Sequence, residues 1–200
     1  MAEPSQGFPV LRLLFHVAFL ATLGSVYGYS AWSDKLLAAQ PSWTQKDLGL
    51  VFSLGIFGAF TTPVGGFLYD NAGANMTYLV GCVLTLGGWA SFLYAVEHQW
   101  SPLACGLLYY LEEQGSSTLY MGIALDTLVH FPGESISFSM GMVALGYSMS
   151  SVILATFLKL VPLSLASCVK GISLLILTCT VIRLAVGPLS AARKDRDEPR

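Results

Sequence analysis

The amino-acid sequence predicts an all-α membrane protein, with six transmembrane helices packed as one bundle. Three observations carry this expectation. Hydrophobic residues make up 54% of the 200 residues and charged residues only 11%, whereas soluble domains carry about 25% charged residues. Mean hydropathy is +0.63, and so apolar a chain cannot hide its surface in a single soluble core of this length. Six long apolar stretches follow one another with only short breaks between them, each near the roughly 20 residues that cross a bilayer as a helix.

The six predicted helices cover about 10–39, 44–69, 74–96, 102–130, 134–160 and 165–187, within one transmembrane domain over 1–188. Residues 1–9 lack a positively charged segment, and the first stretch is too long for the core of a cleavable signal. Pro41 and Ser42 end helix 1. Ser42 with Gln45, and Thr44 with Asp47, both have capping-box spacing at the start of helix 2. Asp70-Asn71-Ala72-Gly73 reads as the turn into helix 3. Ser101-Pro102 opens helix 4, with proline at its favoured first position. Phe131-Pro132-Gly133 separates helices 4 and 5, Pro162 separates helices 5 and 6, and Pro188 ends helix 6 before a charged tail over 189–200. An even number of spans puts both termini on one side of the membrane. That side carries Arg12, Arg183, Arg193, Lys194, Arg196 and Arg200, against Lys35, Lys46, Lys159 and Lys170 on the other. The excess places the termini on the cytoplasmic or matrix side.

Charge and cysteine usage exclude several classes. A net charge of -2 provides no basic surface for nucleic acid. Cys82, Cys105, Cys168 and Cys179 lie inside apolar stretches without CxxC spacing or a nearby histidine cluster, so they read as buried thiols. The chain has no P-loop, no HExxH, no nucleophile motif and no paired histidine ligands, so neither an enzyme nor a cofactor or metal is expected.

The chemistry-bearing residues are polar groups at membrane depth, which are costly there and functional candidates by default. Glu112, Glu113, Gln114, Ser116, Ser117 and Thr118 sit near the middle of helix 4. The two glutamates are neighbours, about 100° apart on a helix, so one is expected to face a cavity and the other an adjoining helix. Helix 1 carries a matching interruption, Gly24-Ser25-Val26-Tyr27-Gly28-Tyr29-Ser30-Ala31-Trp32-Ser33. Helices 1 and 4 each begin a group of three. Polar, Gly-interrupted segments at matching places in two repeats point to a binding site between them, while Gly24 and Gly28 equally suit a helix-packing face. The substrate path is therefore assigned to Tyr27, Tyr29, Ser30, Trp32, Glu112, Glu113, Gln114 and Ser117.

The remaining helices are ranked by polarity. Helices 2 and 5 carry small residues, among them Gly55, Gly58, Gly141 and Gly146, that let helix backbones approach closely. This face is expected to receive another protein. Helices 3 and 6 are more uniformly apolar and are expected to lie at the periphery, against lipid. His16 reads as a packing residue, and Asp126, Lys159, Lys170 and Arg183 as groups near helix ends whose heads reach the interface.

The junction of helices 2 and 3, with Gly66, Leu68, Asp70 and Gly73, resembles the signature loop of the major facilitator superfamily, although Ala74 and Asn75 stand where that loop usually has a basic pair. Tyr27-Gly28-Tyr29-Ser30, Trp43-Thr44-Gln45, Gln114-Gly115-Ser116 and Phe131-Pro132-Gly133-Glu134 are similar to its nodulin-like branch and more loosely to its monocarboxylate-carrier-like branch. The family usually has a basic residue soon after that last motif, and Ser135–Ser139 offer none. The resemblance covers about residues 10–187 and implies the N-terminal half of such a transporter: six helices as an inverted 3+3 repeat, with substrate held against a second half. It also implies that Asp70 touches that second half. Two functions follow as expectations. One is transport of a small organic solute, acting with a second six-helix half or as a dimer. The other is a transporter-derived accessory subunit, without transport activity, of a large membrane complex such as an organellar one.

Overall fold

The structure, a computed structural model, describes residues 7–131, 133, 135–161 and 163–197. The expected breaks at Pro132, Glu134 and Pro162 lie outside the described residues. Within them the chain is helical without a strand: α1 (Gly7–Leu20), α2 (Tyr29–Ala39), α3 (Gln45–Phe60), α4 (Pro63–Glu97), α5 (Pro102–His130), α6 (Ser135–Leu160) and α7 (Leu165–Asp197). Gln45–Glu97, Ser135–Leu160 and Leu165–Val186 are long and apolar enough to cross a membrane. Predicted helices 1 and 4 do not reach that standard. The first is broken in two, and the second, α5, carries the polar run over Glu112–Thr118.

The local signals act where expected at two helix starts. Asp47 accepts hydrogen bonds from the Thr44 backbone N–H (2.8 Å) and hydroxyl (2.7 Å), closing the front of α3. Ser101 accepts from the Ala104 N–H at 3.3 Å, with Pro102 in the first turn of α5.

Four boundaries differ from the expected ones. Helix 1 is not continuous over 10–39: residues 21–28 unwind between α1 and α2. Gly24 and Gly28 favour this, and so does close packing, because a Cβ at Gly24 would lie 1.9 Å from Ser150 Oγ. Helix 2 stops at Phe60 and a new helix starts at Pro63, whose missing N–H suits a first turn. The turn expected over Asp70–Gly73 is confined to Gly73, whose φ of 78° is open to glycine at no steric cost. Finally, α7 continues past Pro188 to Asp197, carried by good helix formers such as Ala191, Ala192, Arg193 and Lys194.

Packing places α5 at the centre. It lies against α3 on one side and α4 on the other, while α6 packs on α1. The expectation that helix 3 lies at the periphery is overturned. Tyr78, Gly81, Cys82, Thr85, Gly88, Trp89 and Phe92 recur every three or four residues on α4 and are all buried. The crossing is tight because a Cβ on Gly88 would stand 2.5 Å from the Glu112 backbone, and one on Gly115 2.3 Å from Thr85 N. Over this stretch the opposite face of α4, with Leu79 and Val83, is exposed.

The small-residue face of helices 2 and 5 is likewise used inside the chain. A Cβ on Gly55 would meet the Tyr109 ring at 2.2 Å, one on Gly58 the Tyr110 carbonyl at 2.5 Å, and one on Gly146 the Val17 carbonyl at 2.7 Å. Of the four expected interface glycines, only Gly141 has open space around it. The exposed side of α3 carries Phe52, Phe57 and Phe60 instead.

Candidate functional site

The unwound segment between α1 and α2 frees backbone carbonyls that must find partners away from water. Side chains of other helices supply them. Ser116 of α5 donates to the Leu23 carbonyl at 2.7 Å, and Ser150 of α6 shares its one proton between the Gly24 carbonyl at 3.0 Å and the Tyr147 carbonyl of its own helix at 2.7 Å. Trp32 Nε1 reaches the Ser25 carbonyl at 3.4 Å. The break is thus built into the bundle, and it turns the Ser25 hydroxyl toward α5.

There the hydroxyl meets both glutamates. Ser25 Oγ lies 2.5 Å from Glu113 Oε1 and 3.2 Å from Glu112 Oε2, with the Tyr109 hydroxyl at 3.5 Å. The expectation that the two glutamates face different neighbours is therefore corrected. Their backbones do point apart, but each side chain is long enough to bend back to one hydroxyl. Both residues are almost wholly buried, at 1% and 0% exposure. Among the described residues no cation pairs with either carboxyl group, and Glu113 Oε2 has no hydrogen-bond partner.

Beneath this group lies an aromatic floor of Tyr29, Trp32, Trp89, Phe92 and Tyr109. Their rings meet mostly edge-on or tilted, with centroids 4.6–6.0 Å apart. Tyr29 donates to the Leu48 carbonyl at 2.9 Å, which ties α2 to α3.

Beside Ser25 opens a cavity of about 270 Å³ between the unwound segment, α6 and α7. Thr22, Ser25, Ser150 and Ser167 stand among its lining residues, in a wall that is otherwise formed by residues such as Leu154, Phe157 and Ile172. Ser25 is thus shared between the cavity and the glutamate pair.

The eight residues assigned to the path do not form one lining. Glu112, Glu113, Tyr29 and Trp32 gather around Ser25 and Tyr109. Gln114 instead clamps the break between α3 and α4, accepting from the Thr61 hydroxyl and donating to the Thr61 carbonyl at 3.2 Å. Ser117 is buried and turns back to the Gln114 carbonyl at 3.4 Å. Ser30 is exposed, with its side chain outside the cluster. Tyr27 is 52% exposed and stands edge-on to Tyr147, which also contacts Tyr120. In the segment likened to a signature loop, Asp70 is exposed, and Gly73 provides the turn.

Sequence reasoning left Ser25, Tyr109 and Ser150 out of the path, although Ser25 lay within the interruption of helix 1. Their signal was present only as polarity inside apolar stretches, and pairing them required the crossing of α1, α5 and α6. It also misread a second polar group. Asp126 and Arg183 do not reach out to an interface but are buried together, with His16 and Arg12 beside them. Lys159 and Lys170 are exposed, as expected.

Comparison with protein-family models, with curated proteins and with solved structures gave no match.

Proposed function

We propose that this chain is a membrane-embedded, six-span half of a solute transporter of the major facilitator type, working with a second half or a second copy. In this reading Glu112, Glu113 and Ser25 handle a proton that accompanies a small organic solute. The observation that carries it is one hydroxyl, on a broken helix, held between two buried carboxyl groups beside a cavity. A serine hydroxyl has one proton to donate. If it donates to Glu113, a hydrogen bond with Glu112 requires the carboxylic acid form of Glu112. The group is then built to hold a proton between two carboxyl groups, since two uncompensated buried carboxylates are prohibitively costly. Rewinding or shifting the broken segment would withdraw Ser25 and change the affinity of the pair for that proton. Broken helices at the midplane serve this purpose in transporters generally. Tyr27, Tyr120 and Tyr147 stand together on the same broken segment, α5 and α6, and offer aromatic and hydroxyl contacts to a solute on the side where a second half would sit.

The test is flux. Full-length protein in proteoliposomes loaded with a pH-sensitive dye is challenged with lactate, pyruvate and other small carboxylates. Solute-dependent proton movement is expected in the wild type and lost in Glu113→Gln. Wild-type flux in the double variant Glu112→Gln/Glu113→Gln would remove proton coupling from the pair.

A second reading, an accessory subunit without transport, draws on the burial of Glu112, Glu113 and Ser117 inside one chain. There the carboxyl groups would only brace the broken helix. Particle mass after mild detergent extraction separates the two: one or two copies favour transport, and a large assembly favours the accessory role.

A further inference from the structure

Where α1, α5 and α7 meet, Asp126 of α5 is buried at 2% exposure and serves as the acceptor for several donors. Arg183 of α7 grips it as a fork, with Nε 3.1 Å from Oδ2 and Nη2 3.0 Å from Oδ1. Arg12 of α1 adds Nη2 at 3.1 Å from Oδ2. His16 Nε2 stands 3.3 Å from Oδ2, and its Nδ1 contacts the Thr127 hydroxyl at 2.8 Å. His130 Nδ1 lies 3.6 Å from Oδ1 and contacts the Asp126 carbonyl at 2.7 Å. The Tyr78 ring lies under the Arg183 guanidinium, 4.8 Å away.

Among the described residues the charges here do not balance. Two guanidinium groups face one carboxylate, and guanidinium is always charged in proteins. The lone pairs of Asp126 are already engaged, yet among the described residues Arg183 Nη1 has no partner, although the residue is only 6% exposed. A buried, unpartnered charged donor is costly. It is also placed to be used, because Arg12, His16 and Arg183 form the floor of a cavity of about 270 Å³ between α1 and α7. The cavity walls are Leu11, Phe15, Ile182 and Val186, and Leu11, Ile182 and Val186 are exposed on the outside of the bundle.

We propose that this groove binds the phosphate of an acidic membrane phospholipid, with the phosphate on Arg12, whose side chain is 12% exposed, and reaching Arg183 Nη1 as it displaces the side chains that cover it, and with an acyl chain along Leu11, Ile182 and Val186. The net positive floor selects an anion, and guanidinium groups suit phosphate oxygens. Apolar walls that open sideways between two helices, one of them long and apolar enough to cross a membrane, select an anion that carries an alkyl chain. The site lies apart from the glutamate pair and does not depend on transport.

The experiment uses full-length protein in detergent with three probes: phosphatidylglycerol, phosphatidylcholine and inorganic phosphate. Native mass spectrometry reads retained lipid, and thermal melting reads stabilisation. Phosphatidylglycerol is expected to be retained and to raise the melting temperature, and the other two are not. Arg183→Gln is expected to weaken retention about tenfold, the worth of one charge-assisted contact. Because Arg183→Gln also disturbs Asp126 and can unfold the chain, Val186→Glu is the second variant. It sets a carboxylate one helical turn from Arg183 while leaving Asp126 and both of its guanidinium partners in place, and is expected to stay folded in detergent and to lose phosphatidylglycerol. Equal retention of phosphatidylglycerol by the wild type and Val186→Glu would overturn the site. An equal melting shift from inorganic phosphate, or from phosphatidylcholine, would overturn its assignment to an acidic lipid.

Discussion

Alanine at Gly58 probes the central contact of the bundle. The added Cβ would stand 2.5 Å from the Tyr110 carbonyl oxygen and 3.1 Å from Glu113 Cβ. Ordinary contact begins near 3.4 Å, so α3 and α5 must part by roughly 0.9 Å or tilt, because a backbone oxygen cannot rotate away. Overpacking of this kind costs about 1–3 kcal/mol. Alanine also gains up to about 1 kcal/mol over glycine inside a helix. The matched control is Gly141→Ala, where nothing lies within 4 Å. The helix gain is common to both variants, so their difference isolates the clash. At about 2–4 °C per kcal/mol for a chain of this size, Gly58→Ala should melt roughly 2–12 °C below Gly141→Ala. The assay is thermal unfolding of detergent-purified protein followed by circular dichroism, with particle mass measured in parallel. If Gly58→Ala melts with Gly141→Ala but fails to associate with a partner, the glycine faces another protein and the α3–α5 contact described above is wrong.

Two further outcomes follow from the polar groups. Asp126→Asn removes the anion that pairs with Arg12 and Arg183, leaving buried charge uncompensated, and should cost about 3–5 kcal/mol in the same melting assay; a neutral result would mean these guanidinium groups reach water. Ser116→Ala takes away the donor to the Leu23 carbonyl and should cost about 1–3 kcal/mol, whereas Ser151→Ala, at a half-buried serine whose hydroxyl bonds within its own helix, should cost much less. Equal melting of these two serine variants would show that the break in helix 1 does not rely on α5.

Much of the fold was legible because its signals are local. Thr44-Asp47 and Ser101-Pro102 start helices through groups three residues apart or less, so neighbours in sequence suffice. Gly73 marks its turn by conformation alone. The interruption in helix 1 was visible as Gly24, Ser25 and Gly28, and the glutamates stood out by charge within an apolar run. The buried face of α4 was also present in the spacing of Tyr78, Gly81, Thr85, Gly88 and Trp89, but mean hydropathy hides it, since an average over the stretch does not say which way each residue faces.

What the sequence determined by itself is therefore composition and local geometry: helices, their starts, one break, and which side chains are too polar for lipid. Tertiary structure decided the partners. That Glu112 and Glu113 share Ser25 follows from the crossing of a broken helix over α5, at a separation of more than eighty residues, and no periodicity encodes it. The same holds for the glycines, whose lack of a side chain permits close approach without saying to what. Gly55 and Gly58 turned to α5, and Gly146 to α1, because burying those contacts within the chain left Phe52, Phe57 and Phe60 outside. Asp126 and Arg183 met for the same reason. Charge says that each needs an opposite partner at low dielectric, and only the packing of α5 against α1 and α7 supplied it.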